Sequence, residues 1–321
     1  MSGASAHGVA VPAGRDAAIR TGSKSFALAA RLFDPATRAL VWDLYAWCRH
    51  CDDVVDGQVL GHERQAVGDL GARLEHLRAG TGAAFAGSAD PMSPFGALAR
   101  VVAATALPRR LADDHLAGFA MDAAGRTYAT LDDALDYCYH VAGVVGLMMA
   151  WVMGVRDRAV LCRASDLGLA FQLSNIARDV GDDLAHGRIY LPADWLREAG
   201  AALTPGTTLD AATARRLAVV AARLVAEAER YYDSAWHGIA HLPGRSAWAI
   251  ATARLVYRDI GRRVVARGEA AWTSRTVAGT PAKLARLAQA AVATAWLKAR
   301  GPGSGPPRAG LFTPPTVAML G

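Results

Sequence analysis

The stretch FQLSNIARDVGDDLAHGRIYLP, residues 171–192, places a row of oxygen-bearing side chains on one face of a predicted helix. Spacings of three and four residues bring side chains to the same stripe of an α-helix. With such spacings the row consists of Gln172, Asn175, Asp179 and Asp183. Apolar residues such as Phe171 and Ile176 surround them, which favours a site at the edge of the core over the alternative of a polar, two-sided surface helix.

A second acidic helix is predicted earlier in the chain, at YAWCRHCDDVVD, residues 45–56. Its helical spacing gathers five polar groups, which are Tyr45, Arg49, Asp52, Asp53 and Asp56. Carboxylates four residues apart on a helix repel each other by about 0.2–0.5 kcal/mol in water, and by more among apolar neighbours. A bound cation would relieve this repulsion, whereas the alternative is a solvated acidic face balanced by its own basic residues.

Together the two helices indicate a metal-bridged diphosphate site. Mg²⁺ prefers octahedral oxygen coordination, and proteins usually hold it with one or two carboxylates and the phosphates of the substrate. Arginines accompany the acids, at Arg49 in the first helix and at Arg178 and Arg188 in the second stretch. Because guanidinium groups bind phosphate oxygens in pairs, we expect the two oxygen-rich rows to face each other across one site.

The composition of the 321 residues predicts an all-α protein with an anionic partner. Ala, Leu, Arg and Val dominate, and no strand-then-helix pattern recurs, which argues against a parallel sheet. The net charge of +6 fits phosphorylated molecules or acidic lipid. No nucleic-acid partner is expected, because the arginines are interleaved with acids. Four cysteines in apolar stretches and an N-terminus without an apolar signal core favour a reducing cytoplasm.

One uncharged stretch, residues 137–155, is about as long as a membrane span. It contains His140 and three glycines, and we interpret it as a helix buried inside a globular protein, where it could line an apolar pocket. An integral membrane protein is the alternative. Peripheral contact with the inner face of a membrane is a separate expectation, motivated by the basic balance and the apolar C-terminal sequence LFTPPTVAML.

Gly- and Pro-rich ends predict flexible tails at residues 1–16 and 301–321, on either side of one domain at residues 17–300. Within the domain we expect a polar helix around residues 62–77 and a loop rich in small residues from 80 to 94.

Taken together, the motifs resemble those of the squalene and phytoene synthase family in its bacterial carotenoid form. The resemblance covers about residues 17–300, through TGSKSFALAARLF, YAWCRHCDDVVD, YCYHVAGVVGLMMAWVMGV and LGLAFQLSNIARDVGDDLAHGRIYLP in the family's order. It implies the all-α isoprenoid-synthase fold, a single helical domain around a central cavity.

The same resemblance implies roles for individual residues. Metal ligands would be Asp52, Asp56, Asn175, Asp179 and Asp183, with Asp53 and Asp182 as auxiliaries. Diphosphate contacts would be made by Ser23, Ser25, Arg49, Gln172, Arg178, Arg188, Tyr190, Tyr257 and Arg275. The prenyl chain or the reacting carbons would contact Phe26, Tyr45, Tyr137, Val141, Val145 and Gly146.

The implied activity is the head-to-head condensation of two geranylgeranyl diphosphates, via prephytoene diphosphate, to phytoene with release of diphosphate. The implied enzyme is an Mg²⁺-dependent prenyltransferase, with Mn²⁺ as an alternative ion and no nicotinamide cofactor. A phytoene desaturase would receive the product. The competing hypothesis is a squalene or dehydrosqualene synthase that uses farnesyl diphosphate.

Overall fold

The structure is a computed structural model that describes residues 29–56, 58–59, 62–64, 70–204, 206–274, 276–277, 279–303 and 305–320, with the backbone alone over 56–64. The predicted N-terminal tail, residues 1–16, lies outside this range.

Helices make up nearly all the regular structure of the described residues, which confirms the all-α prediction. The α-helices are α1 (Pro35–Asp56), α2 (Leu70–Ala86), α3 (Pro94–Thr105), α4 (Arg109–Ala123), α5 (Leu131–Cys138), α6 (Val144–Val152), α7 (Arg158–Ala185), α8 (Ala193–Glu198), α9 (Ala211–Ile239), α10 (Gly244–Arg267) and α11 (Thr280–Arg300). The shorter elements are a π-helical turn (Tyr139–Gly143), two 3₁₀ turns (Gly268–Trp272 and Pro315–Met319) and the strands β1 (Gln58–Val59) and β2 (His62–Arg64).

Polar residues just outside the helices fix where several of them begin. Thr130 and the third residue of α5, Asp133, form a reciprocal capping box. The Asp157 carboxylate accepts a hydrogen bond from the Val160 amide at 3.0 Å and so caps α7. These caps satisfy backbone N–H groups that a helix leaves unpaired, and they therefore fix the residues at which α5 and α7 begin.

Helix α7 is the centre of the fold, and it packs against α6, α9 and α10. Its contact with the preceding helical segment is close enough to require glycine. A Cβ atom on Gly168 would lie 2.2 Å from the carbonyl oxygen of Ala142, and one on Gly146 would lie 2.3 Å from that of Ala164. No side chain fits at such distances, so these two glycines bring the helices into backbone contact.

The uncharged stretch identified in the sequence forms the helix that α7 touches in this way. Among the described residues, Leu131–Val152 is the one helical run whose length and composition would allow it to cross a membrane, and 61% of its most apolar window is buried inside the protein. Large side chains such as Tyr139, Leu147 and Met148 are completely buried there. The run is thus a central helix of the domain, interrupted by the π-helical turn.

Two local predictions in the first third of the domain are wrong. A helix was expected over residues 62–77, but β1 and β2 pair as an antiparallel ribbon and α2 begins only at Leu70. The loop expected over residues 80–94 is wrong in its first part, since residues 80–86 belong to α2, whereas residues 87–93 do connect α2 to α3. The reason is packing: a Cβ on Gly80 would lie 2.4 Å from the Phe95 ring, so the small residues let α3 approach α2 closely.

The C-terminal segment, Gly305–Leu320, lies against the helices. Its Thr316 and Val317 are buried, and the Arg158 side chain donates to the Leu320 carbonyl at 2.9 Å. The flexibility expected of residues 301–321 stays a prediction, but the position of this segment follows from side chains that the composition did not reveal. Arg308 pairs with the buried Asp166, on α7, at 2.6 Å.

Candidate active site

Two adjoining cavities lie along α7. The first, which we call the polar cavity, has a volume of about 370 Å³ and is lined by Arg49, Asp52, Phe119, Asp122, Tyr137, Val141, Gln172, Asn175, Ile176, Arg178, Asp179, Asp183, Arg188 and Tyr190. The second, the apolar cavity, has a volume of about 280 Å³. Val141, Gln172 and Asn175 line both cavities and therefore mark their junction.

The polar cavity unites the two acidic motifs of the sequence. Helix α1 contributes Arg49 and Asp52, and α7 contributes the whole row from Gln172 to Asp183. Asp183 is only partly exposed, and the row runs along the α7 face that α1 approaches. Asp52 of the first oxygen-rich row and the whole of the second row therefore line one cavity.

Two arginines of this cavity pair with acids of their own helices. Arg178 donates through Nε to Asp179 Oδ1 at 2.7 Å, and a second, shorter contact joins its Nη2 to Oδ2. On α1, Arg49 reaches Asp53 Oδ1 at 2.7 Å and Asp52 Oδ2 at 3.4 Å. The guanidinium groups therefore lie next to the carboxylates. A diphosphate bound in this cavity could contact the arginines directly and the carboxylates through a metal ion.

The Asp183 carboxyl group in the polar cavity is harder to ionise than one that is exposed to water. Burial raises the pKa of its carboxyl group to about 7, and the negative charge of Asp179 adds to that effect, while Arg188 opposes it. A cation bound nearby would stabilise the ionised form of this carboxyl group. The polar cavity therefore favours the binding of a cation in addition to its own arginines.

The donor set of this cavity fits Mg²⁺. Its candidate ligands Asp52, Asn175, Asp179 and Asp183 can each bind a metal through a side-chain oxygen, and oxygen is the ligand atom that Mg²⁺ prefers. Within the described part of the chain, no three His, Cys, Asp or Glu side chains converge on one point. Ions held here would complete their coordination with water and with the oxygens of a bound diphosphate.

Asp122, on α4, is a member of the polar cavity that the sequence did not reveal. Its two carboxylate oxygens accept hydrogen bonds from the hydroxyls of Tyr190, at 2.9 Å, and Tyr137, at 3.1 Å. The two rings stack at 4.8 Å between centroids and 17° between planes. Burial, and then the Asp122 charge, raises the pKa of both tyrosines, so they remain neutral. No motif spacing marks Asp122, because its partners are distant in sequence.

Aromatic rings stand at the junction and along the near part of the apolar cavity. The rings of Phe171 and Tyr257 stack with centroids 4.3 Å apart, and Tyr257 lines the cavity together with Tyr45. Burial raises the pKa of the Tyr45 hydroxyl. Of the residues predicted to contact the prenyl chain, Tyr45, Val141, Val145 and Gly146 line this cavity, whereas Tyr137 lines the polar one.

Some predicted site residues do not belong to these linings or cannot be placed. Asp53 lines neither cavity and is paired with Arg49. The predictions for Ser23, Ser25, Phe26 and Arg275, and for the side chain of Asp56, lie outside the described residues. The roles given to all these residues stay predictions.

The far end of the apolar cavity is a second feature that the motifs did not identify. Met153, Val160, Arg163, Ile239 and Leu242 form it, and all are buried. The sequence signal that could have drawn attention to it is a lone arginine within the largely apolar run VLCRASDLGLAFQL.

The chain is similar to known enzymes over most of its length. Residues 19–286 match the family model described as Squalene/phytoene synthase. The chain is 55% identical over 268 residues to a phytoene synthase of Pseudescherichia vulneris, covering 83% of this chain and 86% of the relative. It is 50% identical over 298 residues to a 15-cis-phytoene synthase of a Paracoccus species, covering 93% and 96%.

A solved structure has the same architecture. A crystal structure of a dehydrosqualene synthase in complex with ligand superposes with a TM-score of 0.76 at 26% identity, and the match covers 89% of this chain and 96% of that one. The isoprenoid-synthase fold expected from the sequence is thereby confirmed.

Proposed function

The chain belongs to the squalene/phytoene synthase family, and from this premise we propose that it condenses two molecules of geranylgeranyl diphosphate head to head. The product is phytoene, formed via prephytoene diphosphate with release of diphosphate. The observation that carries this proposal is the juxtaposition of a polar cavity, lined by both acidic helices, with an apolar cavity of about 280 Å³. One holds the diphosphate and the other the prenyl chain.

In the polar cavity, the arginines bind the diphosphate oxygens. Arg49, Arg178 and Arg188 line it from two sides, and guanidinium groups suit paired contacts with phosphate. Their positive charge stabilises the negative charge that develops on the departing diphosphate, which is the largest contribution in many enzymes that form a leaving anion.

We assign the metal to the same cavity, held by Asp52 from α1 and by Asn175, Asp179 and Asp183 from α7, with Asp56 and Asp53 as further candidates. When bound, Mg²⁺ supplies Lewis-acid stabilisation of the leaving diphosphate. Mn²⁺ offers similar coordination preferences and is an alternative. The reaction as proposed requires no hydride donor, so no nicotinamide cofactor is expected.

The apolar cavity protects the allylic cation that remains after ionisation. Apart from Gln172, Asn175 and Arg163, its lining is largely apolar, so water is excluded from the reacting carbons. The faces of Tyr45 and Tyr257 border it, and each aromatic face can stabilise a cation by about 0.5–2 kcal/mol. Asp122 holds the hydroxyls of Tyr137 and Tyr190 at the wall of the polar cavity.

The alternative substrate is farnesyl diphosphate, which would make the chain a squalene or dehydrosqualene synthase. The C20 substrate is favoured because relatives at 50–55% identity are named phytoene synthases, whereas the dehydrosqualene synthase is 26% identical.

A product assay tests the proposal directly. The purified chain is incubated with geranylgeranyl or farnesyl diphosphate, with Mg²⁺ or with EDTA, and with or without NADPH, and the hydrocarbons are identified by mass. We expect a C40 hydrocarbon from the C20 substrate, dependent on Mg²⁺ and independent of NADPH. A C30 product with no turnover of the C20 substrate would refute the assignment, and full activity in EDTA would refute the metal.

We further propose a cytoplasmic protein that touches the inner face of the membrane and passes its product to a phytoene desaturase. The support is chemical: a C40 hydrocarbon is insoluble in water, and the net charge of +6 favours anionic surfaces. Flotation with vesicles containing anionic lipid, compared with neutral vesicles, tests the contact. Equal recovery in the unbound fraction for both would contradict it.

A further inference from the structure

One charged residue lines the far end of the apolar cavity. Arg163 is the only charged side chain among the described residues that line this cavity. It lies twelve residues before Asn175 on α7, which corresponds to about 18 Å along the helix. A prenyl chain whose diphosphate lies in the polar cavity would therefore point its last carbons at this guanidinium group.

Hydrogen bonds hold the Arg163 side chain in place. Its Nη1 donates to the carbonyl oxygen and the hydroxyl of Ser234, both at 3.1 Å, and its Nη2 donates to the Pro306 carbonyl at 2.7 Å. The side chain is 6% exposed. Moving it would leave buried donors and acceptors without partners, which is unfavourable because these groups have already been removed from water.

The C-terminal segment supplies the support behind this residue. Arg308 donates to both carboxylate oxygens of Asp166, at 2.8 and 2.6 Å. Asp166 is completely buried and also accepts from the Ser234 hydroxyl at 2.5 Å. Arg163, Ser234, Asp166 and Arg308 thus form one network that joins α7, α9 and the C-terminal segment.

Tight packing restricts the stem of Arg163 as well. A Cβ atom on Gly238 would lie 2.8 Å from the Arg163 Cβ, and one on Gly305 would lie 2.9 Å from its Nη2. Gly305 also has a φ of +66°, a conformation that glycine adopts without strain. The arginine is therefore enclosed by backbone on two sides.

The same segment also supports a second part of the cavity wall. Thr316 bonds the buried Asp114, which also accepts from the Tyr139 hydroxyl at 2.7 Å. Tyr139 begins the π-helical turn, and Val141 and Ala142 of that turn line the cavity. The C-terminal segment is thus tied to two sides of the space that would hold the prenyl chain.

We propose that Arg163 is the end stop of the apolar cavity and that the C-terminal segment fixes it there, so that together they set the longest prenyl chain the enzyme accepts. This inference rests on the proposed function. An apolar stop such as methionine yields by rotating its side chain, whereas a guanidinium held by buried acceptors does not. A chain longer by one isoprene unit would have to displace it.

The test compares Arg163→Met with the matched control Arg158→Met. Arg158 is on the same helix and also bonds the C-terminal segment, but it is exposed and lines neither cavity. For each protein, kcat/KM is measured with C20 and C25 prenyl diphosphates, and dissociation constants are measured with unreactive C15, C20 and C25 thiodiphosphates. A third variant, Arg308→Met, removes support without changing the lining.

We expect Arg163→Met to raise the C25-to-C20 ratio of kcat/KM at least about tenfold, with C15 binding unchanged within about twofold. Arg308→Met should shift the ratio in the same direction by less, and Arg158→Met should leave it unchanged. An unchanged ratio in Arg163→Met, or an equal rise in Arg158→Met, would overturn the inference.

The wild-type protein provides a measurement that does not depend on the folding of any variant. At concentrations that saturate the protein, the C25 analogue should displace Arg163 and speed amide hydrogen exchange in residues 305–320, and the C20 analogue should not. Equal dissociation constants for the two analogues, with equal exchange in the two saturated complexes, would reject the stop. Failure of the proposed function has a different signature, namely the absence of any C40 product from the wild-type protein with the C20 substrate.

Discussion

The polar and apolar cavities share helix α7 but depend on opposite properties of it. In the polar cavity, charged groups such as Arg178 and Asp179 meet within hydrogen-bonding distance, and their chemistry determines what can bind. In the apolar cavity, small residues such as Gly168 and Ala164 determine how much space remains. The difference shows that one helix can specify a charge pattern at its C-terminal end and a volume in its middle.

This contrast has consequences for substitutions. The function of the polar cavity should be lost when a single charge is removed, with little change in stability. At the apolar cavity, by contrast, a single methyl group added at the closest helix contact should lower the unfolding free energy of the protein.

The largest expected effect is that of Asp179→Ala in the polar cavity. Because the carboxylate is both a candidate metal ligand and the partner of Arg178, turnover should fall by a factor of about 10³ or more, equivalent to about 4 kcal/mol. The helical circular dichroism should be unchanged. The control is Asp113→Ala, which removes an exposed acid that pairs only weakly, with Arg109 at 3.6 Å. Near-normal turnover in Asp179→Ala would contradict the metal assignment.

A pH titration tests how far the dry interior extends behind the polar cavity. His115 packs between Trp47 and Phe119, and Phe119 lines that cavity. Burial lowers the pKa of His115 to about 4. Since the unfolded chain binds this proton near pH 6.5 and the folded chain only near 4, stability present above 6.5 is lost as the pH falls through this window.

The expected loss is about 3 kcal/mol of unfolding free energy between pH 6.5 and 4, from the size of the shift. The measurement is urea denaturation across this range for the wild type and for His115→Asn, since the difference isolates the histidine from the carboxylates. Parallel pH curves for the two proteins would mean that water reaches His115.

A methyl group added at Gly168 tests the apolar side of the comparison. Gly168→Ala should reduce the unfolding free energy by about 1–3 kcal/mol, because the new Cβ would lie 2.2 Å from the Ala142 carbonyl oxygen. The matched control is Gly181→Ala on the same helix, where the nearest side-chain atom would be 3.3 Å away. There the better helix propensity of alanine should leave stability equal or slightly higher. Similar results for both would show that the helices can separate freely.

The smallest expected effect is that of Asp122→Asn. The amide keeps the shape but removes the charge, and only one of its two polar atoms can accept a hydrogen bond from a tyrosine hydroxyl. We expect kcat/KM to fall about tenfold, equivalent to about 1.4 kcal/mol. Steady-state kinetics with the C20 substrate would measure it. An unchanged kcat/KM would show that Tyr137 and Tyr190 need no shared acceptor.

Much of the polar cavity could be predicted from the sequence, because most of its polar residues lie close together in the sequence. Side chains three and four residues apart share a helix face, so the row from Gln172 to Asp183 could be recognised without any knowledge of the fold. That α1 and α7 face each other came from the family resemblance and from the need of Mg²⁺ for several oxygen ligands. Asp122 escaped notice because its partners, Tyr137 and Tyr190, are 15 and 68 residues away.

Volumes and long-range contacts were harder to predict. Nothing in the composition of residues 301–321 indicated that Arg308 would find Asp166, 142 residues earlier. The Gly- and Ala-rich half of α2 looked like a loop, because the sequence does not show that Phe95 covers Gly80. In each case the decisive partner is remote in sequence, and patterns of neighbouring residues carry no information about it.

The π-helical turn at Tyr139–Gly143 makes the number of residues in this helix as important as their identity. Successive residues of an α-helix are rotated by about 100°, and a π turn accommodates one residue more than an α turn. Deleting any one residue of the turn would let a regular α-helix form and would rotate α5 by that angle relative to α6. Tyr137 would then swing away from Asp122, while Gly146 could keep its contact with α7. The number of residues in the π-helical turn therefore sets how the residues that line the two cavities are oriented relative to each other.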